Sequence, residues 1–352
     1  MTTIYDIAKK TGYSITTVSK VLNNYTDVSE KAKKIINEAV NELGYFPSSS
    51  ARTLSTKKSW SIGVIFVEDS GIGMEHPFFN AVIESFKKSV EEHGYDLLFA
   101  ARKVGSESKS YLDHFKYRDV DGVVVVCSAL NDPEVDLLIN SDLPTVVIDL
   151  DIRGCCAVYS DNVYGSELAV NYLYSLGHRK IAHISGDEAL FVGVQRKNGF
   201  VEAMKNNNLE LPDEYIVNGG YFTHEGGQGA MKQLLELKEP PTAVYVAGDL
   251  MALGAIREIT EQGLKVPEDI SVVGFDDIRM AQYTTPALTT IRQDTTLIGK
   301  TSANLLLEEI NNNKKQFFSV KIPVTLVERA SCRRILEPEP IKEALPRSES
   351  PV

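Results

Sequence analysis

The sequence predicts an α/β protein that carries a small all-α head. Helical hydrophobic spacing fills residues 1–47, whereas from residue 61 onward β-rich apolar runs alternate with helical stretches. Alternation of that kind is the mark of parallel sheets with helices on both faces. At 352 residues the chain is too long for one ordinary core and fits a small module plus two domains of usual size. The expected body is therefore two doubly wound parallel-sheet subdomains sharing a cleft, over residues 59–335. Charge divides the chain at the same place. Residues 1–58 hold nine Lys/Arg against five Asp/Glu, a charge of +4, which leaves −15 on the rest of a chain whose net charge is −11. A basic head can neutralise phosphates while an acidic body is repelled by them.

In the head, Ile4, Ile7 and Ala8 recur at helical spacing behind Thr3, a good N-cap, and the pattern stops at Thr11-Gly12, where glycine permits a tight reversal. After the turn at Tyr13-Ser14, residues 15–22 place Val18, Val21 and Leu22 on one face. At 100° per residue, Thr16 and Lys20 point the opposite way, with Ile15 at the edge. A third helix is expected from the N-cap Ser29 to the stop at Gly44, burying Ala32, Ile35, Ile36, Ala39, Val40 and Leu43. Three short helices with a glycine turn between the first two form a helix-turn-helix. Its second helix enters the major groove. Thr16 and Lys20 are therefore the expected base readers, Lys20 donating to guanine and Ile15 offering apolar contact to a thymine methyl. Thr3, Tyr5, Ser14, Thr17, Ser19, Asn23, Tyr45 and Ala51 complete the expected DNA-contacting set.

Strands are expected over residues 62–67, 95–101, 123–127, 145–149, 180–185, 243–247 and 271–275. Ligands of doubly wound sheets sit at the carboxyl ends of strands. Here those ends carry Glu68-Asp69, Arg102, Asp149, Asp161-Asn162, Asp249 and Asp276-Asp277. Such polar groups suit a hydroxyl-rich ligand; a helix N-cap is the alternative for Asp149 and Asp249.

Several classes are excluded. Composition is that of a globular protein, 43% apolar and 24% charged, with no run of about 18 apolar residues to span a bilayer. The start MTTIYDIAKK has no apolar stretch behind basic residues, so a secretory leader is not expected and the cytoplasm is the expected compartment. Cys127, Cys155, Cys156 and Cys332 lack metal spacing and are expected to be reduced core thiols. No GxxxxGK[ST], HExxH or GxSxG occurs, so neither a cofactor, a metal nor an enzymatic activity is expected. The glycines at 226, 227 and 229 are expected to be turn residues, and His178 and His183, flanking an apolar run, structural.

The run TIYDIAKKTGYSITTVSKVLN and the following YFPSSSARTLS resemble the head and hinge of the lactose/galactose-repressor (LacI/GalR) family of transcriptional regulators. Over residues 48–58 the resemblance implies a hinge helix that folds on the operator and inserts a leucine, here Leu54, into the minor groove. Three consecutive serines at 48–50 make a segment too polar and too short to hold a helix alone, and apolar wedges are a known way to kink DNA. The body resembles the family's periplasmic-binding-protein-like core in YSDNVYGSELAVNYLYSLGHRKIAHISG, QRKNGFVEAM, AGDLMALGAIREITEQGLKVPEDISVVGFDDI and PALTTIRQD. By position, the resemblance implies an effector site of Arg196, which clamps sugar hydroxyls, with Asp276, Gln293 and the stacking ring of Phe222. His76, Phe78 and Phe79 line the loop after the first strand, and Arg102, Asp149 and Asp249 stand at strand ends. Gly248 replaces the Asn or Thr usual before this aspartate.

The partners implied are double-stranded operator DNA, a second copy of the chain on a pseudo-palindrome and a small sugar-like effector that releases the repressor. No membrane is expected. The tail, residues 336–352, holds four prolines, so it is expected to be disordered and to form no tetramerising coiled coil. The alternatives are a catabolite-control type of regulator activated by a protein partner or a purine corepressor, and, from another class, a solute-binding protein. The stretch from Ser302 to Glu308, where such a partner would dock, is neutral to acidic.

Overall fold

The computed structural model describes residues 2–23, 25–45, 58–66, 73–100, 103–104 and 107–335. The head forms α1 (Ile4–Thr11), α2 (Ile15–Leu22) and α3 (Glu30–Glu42). Each starts at a residue able to accept orphan amides. Ser14 Oγ takes the Thr17 amide at 3.1 Å, Ser29 Oγ takes that of Ala32 at 3.3 Å, and Thr3 is bound through N and Oγ1 to Asp6 Oδ2, 2.8 Å each. α1 ends at Gly12, whose φ of +74° turns the chain into α2 at no steric cost. Ile7, Val18, Val21, Ile36 and Ala39 form the core, with Val40 and Leu43 packed at its edge. Ile35 departs from expectation: it is half-buried and lies outside that cluster.

The body consists of two lobes. Lobe 1 opens with β1 (Ser61–Phe66), α4 (Pro77–Glu91), β2 (Asp96–Phe99), a two-stranded ribbon of β3 (Lys103–Val104) and β4 (Glu107–Ser108), and α5 (Tyr111–Arg118). It continues through β5 (Gly122–Cys127), α6 (Pro133–Ile139), β6 (Thr145–Ile148) and β7 (Cys156–Ser160). Lobe 2 takes α7 (Asn162–Ser175), β8 (Ile181–Ser185), α8 (Phe191–Asn206), β9 (Ile216–Asn218), α9 (His224–Leu235), β10 (Ala243–Val246), α10 (Asp249–Glu261), β11 (Ser271–Asp276) and β12 (Thr289–Gln293). The chain then returns to lobe 1 with α11 (Thr295–Asn312) and β13 (Ser319–Ile322), and finishes in lobe 2 with β14 (Val324–Val327).

The sheets run β13-β7-β6-β5-β1-β2 and β14-β12-β11-β10-β8-β9. Within these two sheets every pairing is parallel except that of β12 with β14, and the β3–β4 ribbon is antiparallel. β5, β6, β10 and β11 are buried at every residue, as strands covered on both faces must be. In each lobe the order reverses beside the first strand, between β1 and β5 and between β8 and β10. That is where doubly wound sheets open a crevice. Three segments join the lobes, at residues 160–162, 293–295 and 322–324.

Seven strands escape the sequence reading: the two-residue β3 and β4, and β7, β9, β12, β13 and β14. β9 and β13 are short and half exposed, and β12 holds one apolar residue, Ile291, among polar ones, so none of these three offers the continuous apolar run of a central strand. The glycines at 226, 227 and 229 are helical, inside α9. Gly226 and Gly227 permit close approach, whereas a Cβ at Gly229 would meet nothing within 4 Å. A Cβ at Gly227 would lie 2.0 Å from Met251 O in α10, and one at Gly254 in α10 would lie 1.9 Å from His224 O in α9.

Gly254→Ala is therefore expected to force α9 and α10 apart and to cost about 1–3 kcal/mol, the range for overpacking. Thermal melts of the two proteins check this, and an unchanged midpoint would contradict the contact.

Candidate functional site

The outer face of the head presents Tyr5 and Ile15, 67% and 42% exposed, beside the exposed Thr16. Lys20 points to this face but is paired with Asp27, whose carboxyl its ammonium holds below the usual range. A base contact by Lys20 therefore exchanges one partner for another. Other expected contact residues have local work. Ser14 and Thr17 share the α2 cap, with their hydroxyls 2.9 Å apart, and Asn23 Nδ2 closes the helix on Ser19 O at 2.8 Å. Thr3 is held by Asp6, and Tyr45 packs on the head core. Ala51 and Leu54 lie outside the described residues.

Between the lobes lies a narrow cavity of about 30 Å³. Lobe 1 contributes His76, Phe78 and Phe79 from the start of α4, Cys127 and Ser128 after β5, and Asp149 after β6. Lobe 2 contributes Leu190, Val192, Arg196, Tyr221, Phe222 and Asp276. Six residues expected in an effector site thus meet here: His76, Phe79, Asp149, Arg196, Phe222 and Asp276.

Arg196 is 2% exposed. Its Nη1 donates to Ala247 O at 2.6 Å and approaches Asp276 Oδ1 at 3.5 Å, while Nε donates to Asn162 Oδ1 at 2.8 Å. The guanidinium lies 3.7 Å from the centre of the Phe275 ring, an arrangement that suits its planar, delocalised charge. Backbone strain gathers around it. Asp149, Phe222 and Asp276 have φ of +55°, +56° and +118°, conformations that non-glycine residues hold only where the surroundings impose them. The Phe222 ring is wedged between two glycines: a Cβ would stand 2.2 Å from it at Gly186 and 2.8 Å at Gly248. The space of the side chain absent at Gly248 is thus occupied by the stacking ring.

Two of the expected effector contacts take other positions. Asp249 is fully buried inside lobe 2, where Oδ1 accepts from Thr290 Oγ1 at 2.6 Å and Oδ2 from the Ile278 amide at 2.8 Å. It joins α10 to the ends of β11 and β12 and faces no cavity. Gln293 stands behind Asp276, donating to Oδ1 at 2.7 Å, and does not line the cavity. Neither Asp149 nor Asp249 caps a helix, since α10 starts from Gly248. Arg102 lies outside the described residues.

Charges in the cavity follow burial. His76 is pushed down to about 4 by desolvation, with the Arg196 charge adding, so its ring is neutral, and its Nδ1 has no partner. Burial, reinforced by Asp276, raises Asp149 to about 7 against the pull of Arg196, and Asp149 Oδ1 is also unpartnered. Asp249 and Asp276 are a coupled buried pair, both raised chiefly by burial. Elsewhere His183 is sandwiched between Phe200 and Tyr245, at 4.8 and 4.7 Å between ring centres, and His178 bridges Thr242 and Arg333 O. Both are structural. Cys127, Cys155, Cys156 and Cys332 are free, and among the described residues no cluster could hold a metal. Of the stretch from Ser302 to Glu308, only Asn304 and Glu308 are exposed. Among the described residues no helix is long and apolar enough to cross a membrane.

A helix-turn-helix head ahead of two lobes that meet around a small polar and aromatic cavity defines a DNA-binding regulator. The chain belongs to the lacI family of bacterial regulatory proteins and is a DNA-binding transcriptional repressor, not an enzyme. The model of that family matches residues 3–48, and the periplasmic binding protein-like domain matches residues 170–332. It is 38% identical over 336 residues to the HTH-type transcriptional repressor PurR of Serratia proteamaculans, covering 94% of this chain and 97% of that protein. The PurR of Klebsiella pneumoniae strain 342 is 37% identical over 338 residues, with the same shares covered. Among solved structures, the lac repressor dimer bound to operator and the anti-inducer ONPF superposes with a TM-score of 0.82 at 29% identity, covering 94% of this chain and 99% of that one. The regulator CelR in complex with cellobiose superposes at 0.70 with 28% identity, over 94% and 100% of the two chains.

Asp149 supplies a test by pH. An aspartate in the unfolded chain ionises near 3.8, and the folded carboxyl near 7. The folded state therefore binds the proton more tightly, and the stability this gives is complete below about pH 4 and lost as pH rises toward 7. Asp149→Asn cannot ionise. Urea melts at stepped pH are expected to show the wild type losing stability relative to this variant between pH 4 and 7; parallel curves would contradict the burial.

Proposed function

We propose that this repressor binds a pseudo-palindromic operator as a homodimer and is controlled by a small, uncharged, hydroxyl-rich ligand of sugar-like chemistry held between the lobes. The observation that carries the reading is the meeting of Arg196, Asp276 and Asp149 on a cavity walled by Phe78, Phe79 and Phe222. Rings offer apolar faces, the guanidinium offers donors in a fixed fork, and the carboxylates accept from hydroxyls. Charge argues against an anionic ligand: among the described lining residues one cation, already facing Asp276, stands against two carboxyl groups. CelR in complex with cellobiose and the lac repressor dimer bound to operator and the anti-inducer ONPF are both similar to this chain. Homodimerisation follows from the palindrome logic of helix-turn-helix proteins. The hinge at residues 48–58, with Leu54 as an apolar wedge, belongs to the same proposal.

A planar heteroaromatic corepressor such as a purine base is the second reading, favoured by the four rings of Phe78, Phe79, Tyr221 and Phe222 around the cavity. Titrating neutral sugars and purine bases against the complex with the promoter region separates the two. A sugar that releases the protein supports the first reading. A purine that tightens binding supports the second.

Two outcomes follow for the head and the cavity. Operator affinity is expected to fall steeply with salt, by a log–log slope of about −0.9 for each phosphate contact, and Lys20→Ala is expected to cost about 1–3 kcal/mol at one base pair per half-site. A uniform loss on every sequence would make Lys20 a phosphate contact instead. Arg196→Ala is expected to lose about 1.5–3 kcal/mol of effector binding, and with it the change in operator affinity that the effector produces, which calorimetry beside operator titrations measures. A normal response to effector would remove Arg196 from the site.

A further inference from the structure

We propose that Asn162 is the positioning residue that ties the state of the cavity to the strands joining the lobes. The inference rests on reading the cavity as the regulatory site. Asn162 is the first residue of α7, is 2% exposed, and does not line the cavity. Both ends of its amide are used. Oδ1 accepts from Arg196 Nε at 2.8 Å, and Nδ2 donates to Ser160 O at 2.9 Å. Ser160 is the last residue of β7, in lobe 1, whereas Arg196 belongs to α8, in lobe 2. One planar amide therefore spans from a cavity-lining guanidinium to the backbone of the opposite lobe.

The place it grips is where two connections run side by side. Ser160 pairs with Ile322, the last residue of β13, and the next amide, that of Asp161, donates to Ile322 O at 2.9 Å. The third connection is reached from the same ion pair, because Gln293, two residues before α11 begins its return, donates to Asp276 Oδ1 at 2.7 Å. Arg196 and Asp276 thus form a hub with one amide side chain running to each side. A ligand that turns the guanidinium must move Asn162 Oδ1, and since the amide is rigid, Nδ2 moves with it against Ser160 O. Only a difference between two arrangements can be transmitted, and this contact makes the lobe connections part of that difference.

Two substitutions divide the two ends of the amide. Asn162→Asp keeps an acceptor for Arg196 but cannot donate to Ser160 O; Asn162→Ala loses both. In the full chain labelled with 15N-arginine, the Nε–Hε resonance of Arg196, assigned by its loss in Arg196→Lys, is expected to persist in Asn162→Asp and to vanish in Asn162→Ala. Operator affinity is then measured in a cycle with Asp276→Asn, which disturbs the hub from the cavity side. Asp276→Asn is expected to change operator Kd by about threefold or more in the wild-type background and by less than about twofold beside Asn162→Asp, since residues of one network are not additive. The same factor in both backgrounds would overturn the role of Asn162. No change in operator Kd from Asp276→Asn alone would overturn the regulatory reading of the cavity, and this proposal with it. Should Asn162→Asp melt far below the wild type, Asn162→Leu, close in size and with no donor to Ser160 O, takes its place in the same cycle with the same two criteria.

Discussion

A buried guanidinium organises this repressor. Arg196 is a full charge placed where water is nearly excluded, and such a charge persists only when neighbours replace its hydration. The replacements come from separate parts of the chain: a carbonyl at the end of β10, a carboxylate at the end of β11, an amide at the start of α7 and the flat face of Phe275. They can converge because both sheets reverse their strand order beside the crevice and deliver their carboxyl ends to one place. The strained backbone at Phe222 and Asp276 is the local consequence, with Gly186 and Gly248 making room for the ring.

The charge also accounts for the chemistry of the cavity. Arg196 pulls Asp149 and Asp276 toward ionisation while burial opposes it, and it helps to keep His76 neutral. The site is left with unpartnered acceptors and an apolar wall. That composition favours a neutral donor-rich molecule over an anion. The basic head, by contrast, meets its polyanion with exposed side chains, so the two binding events use opposite electrostatics at opposite ends of one chain.

Much of this was legible in the sequence, for local reasons. Helices of the head are set by Thr3, Ser14, Ser29 and Gly12 acting on their own neighbours, and central strands announce themselves by unbroken runs such as residues 122–127. Edge strands do not, because half-exposed segments such as Ile216–Asn218 carry no such run. Gly226 and Gly227 are not turn residues because what they make room for is backbone packed on the helix, Gly219 O and Met251 O, which the local sequence does not show. Asp249 and Gln293 stand behind the cavity lining for a related reason: a polar residue at a strand end can face the cavity or the residue that faces it, and only packing decides. Asn162 was visible as a polar strand end, yet its bond to Arg196 spans 34 positions and left no local trace. Nor did Leu190, Val192 and Tyr221, whose place on the cavity wall comes from the packing of lobe 2.

The central claim is that the cavity and the operator surface are coupled through one molecule. Linkage makes that coupling reciprocal. The most direct measurement is calorimetric titration of the cavity ligand into the free protein and into the protein saturated with operator. The account predicts two different affinities, in a ratio equal to the factor by which the same ligand changes operator affinity. Equal affinities in the two titrations would contradict it.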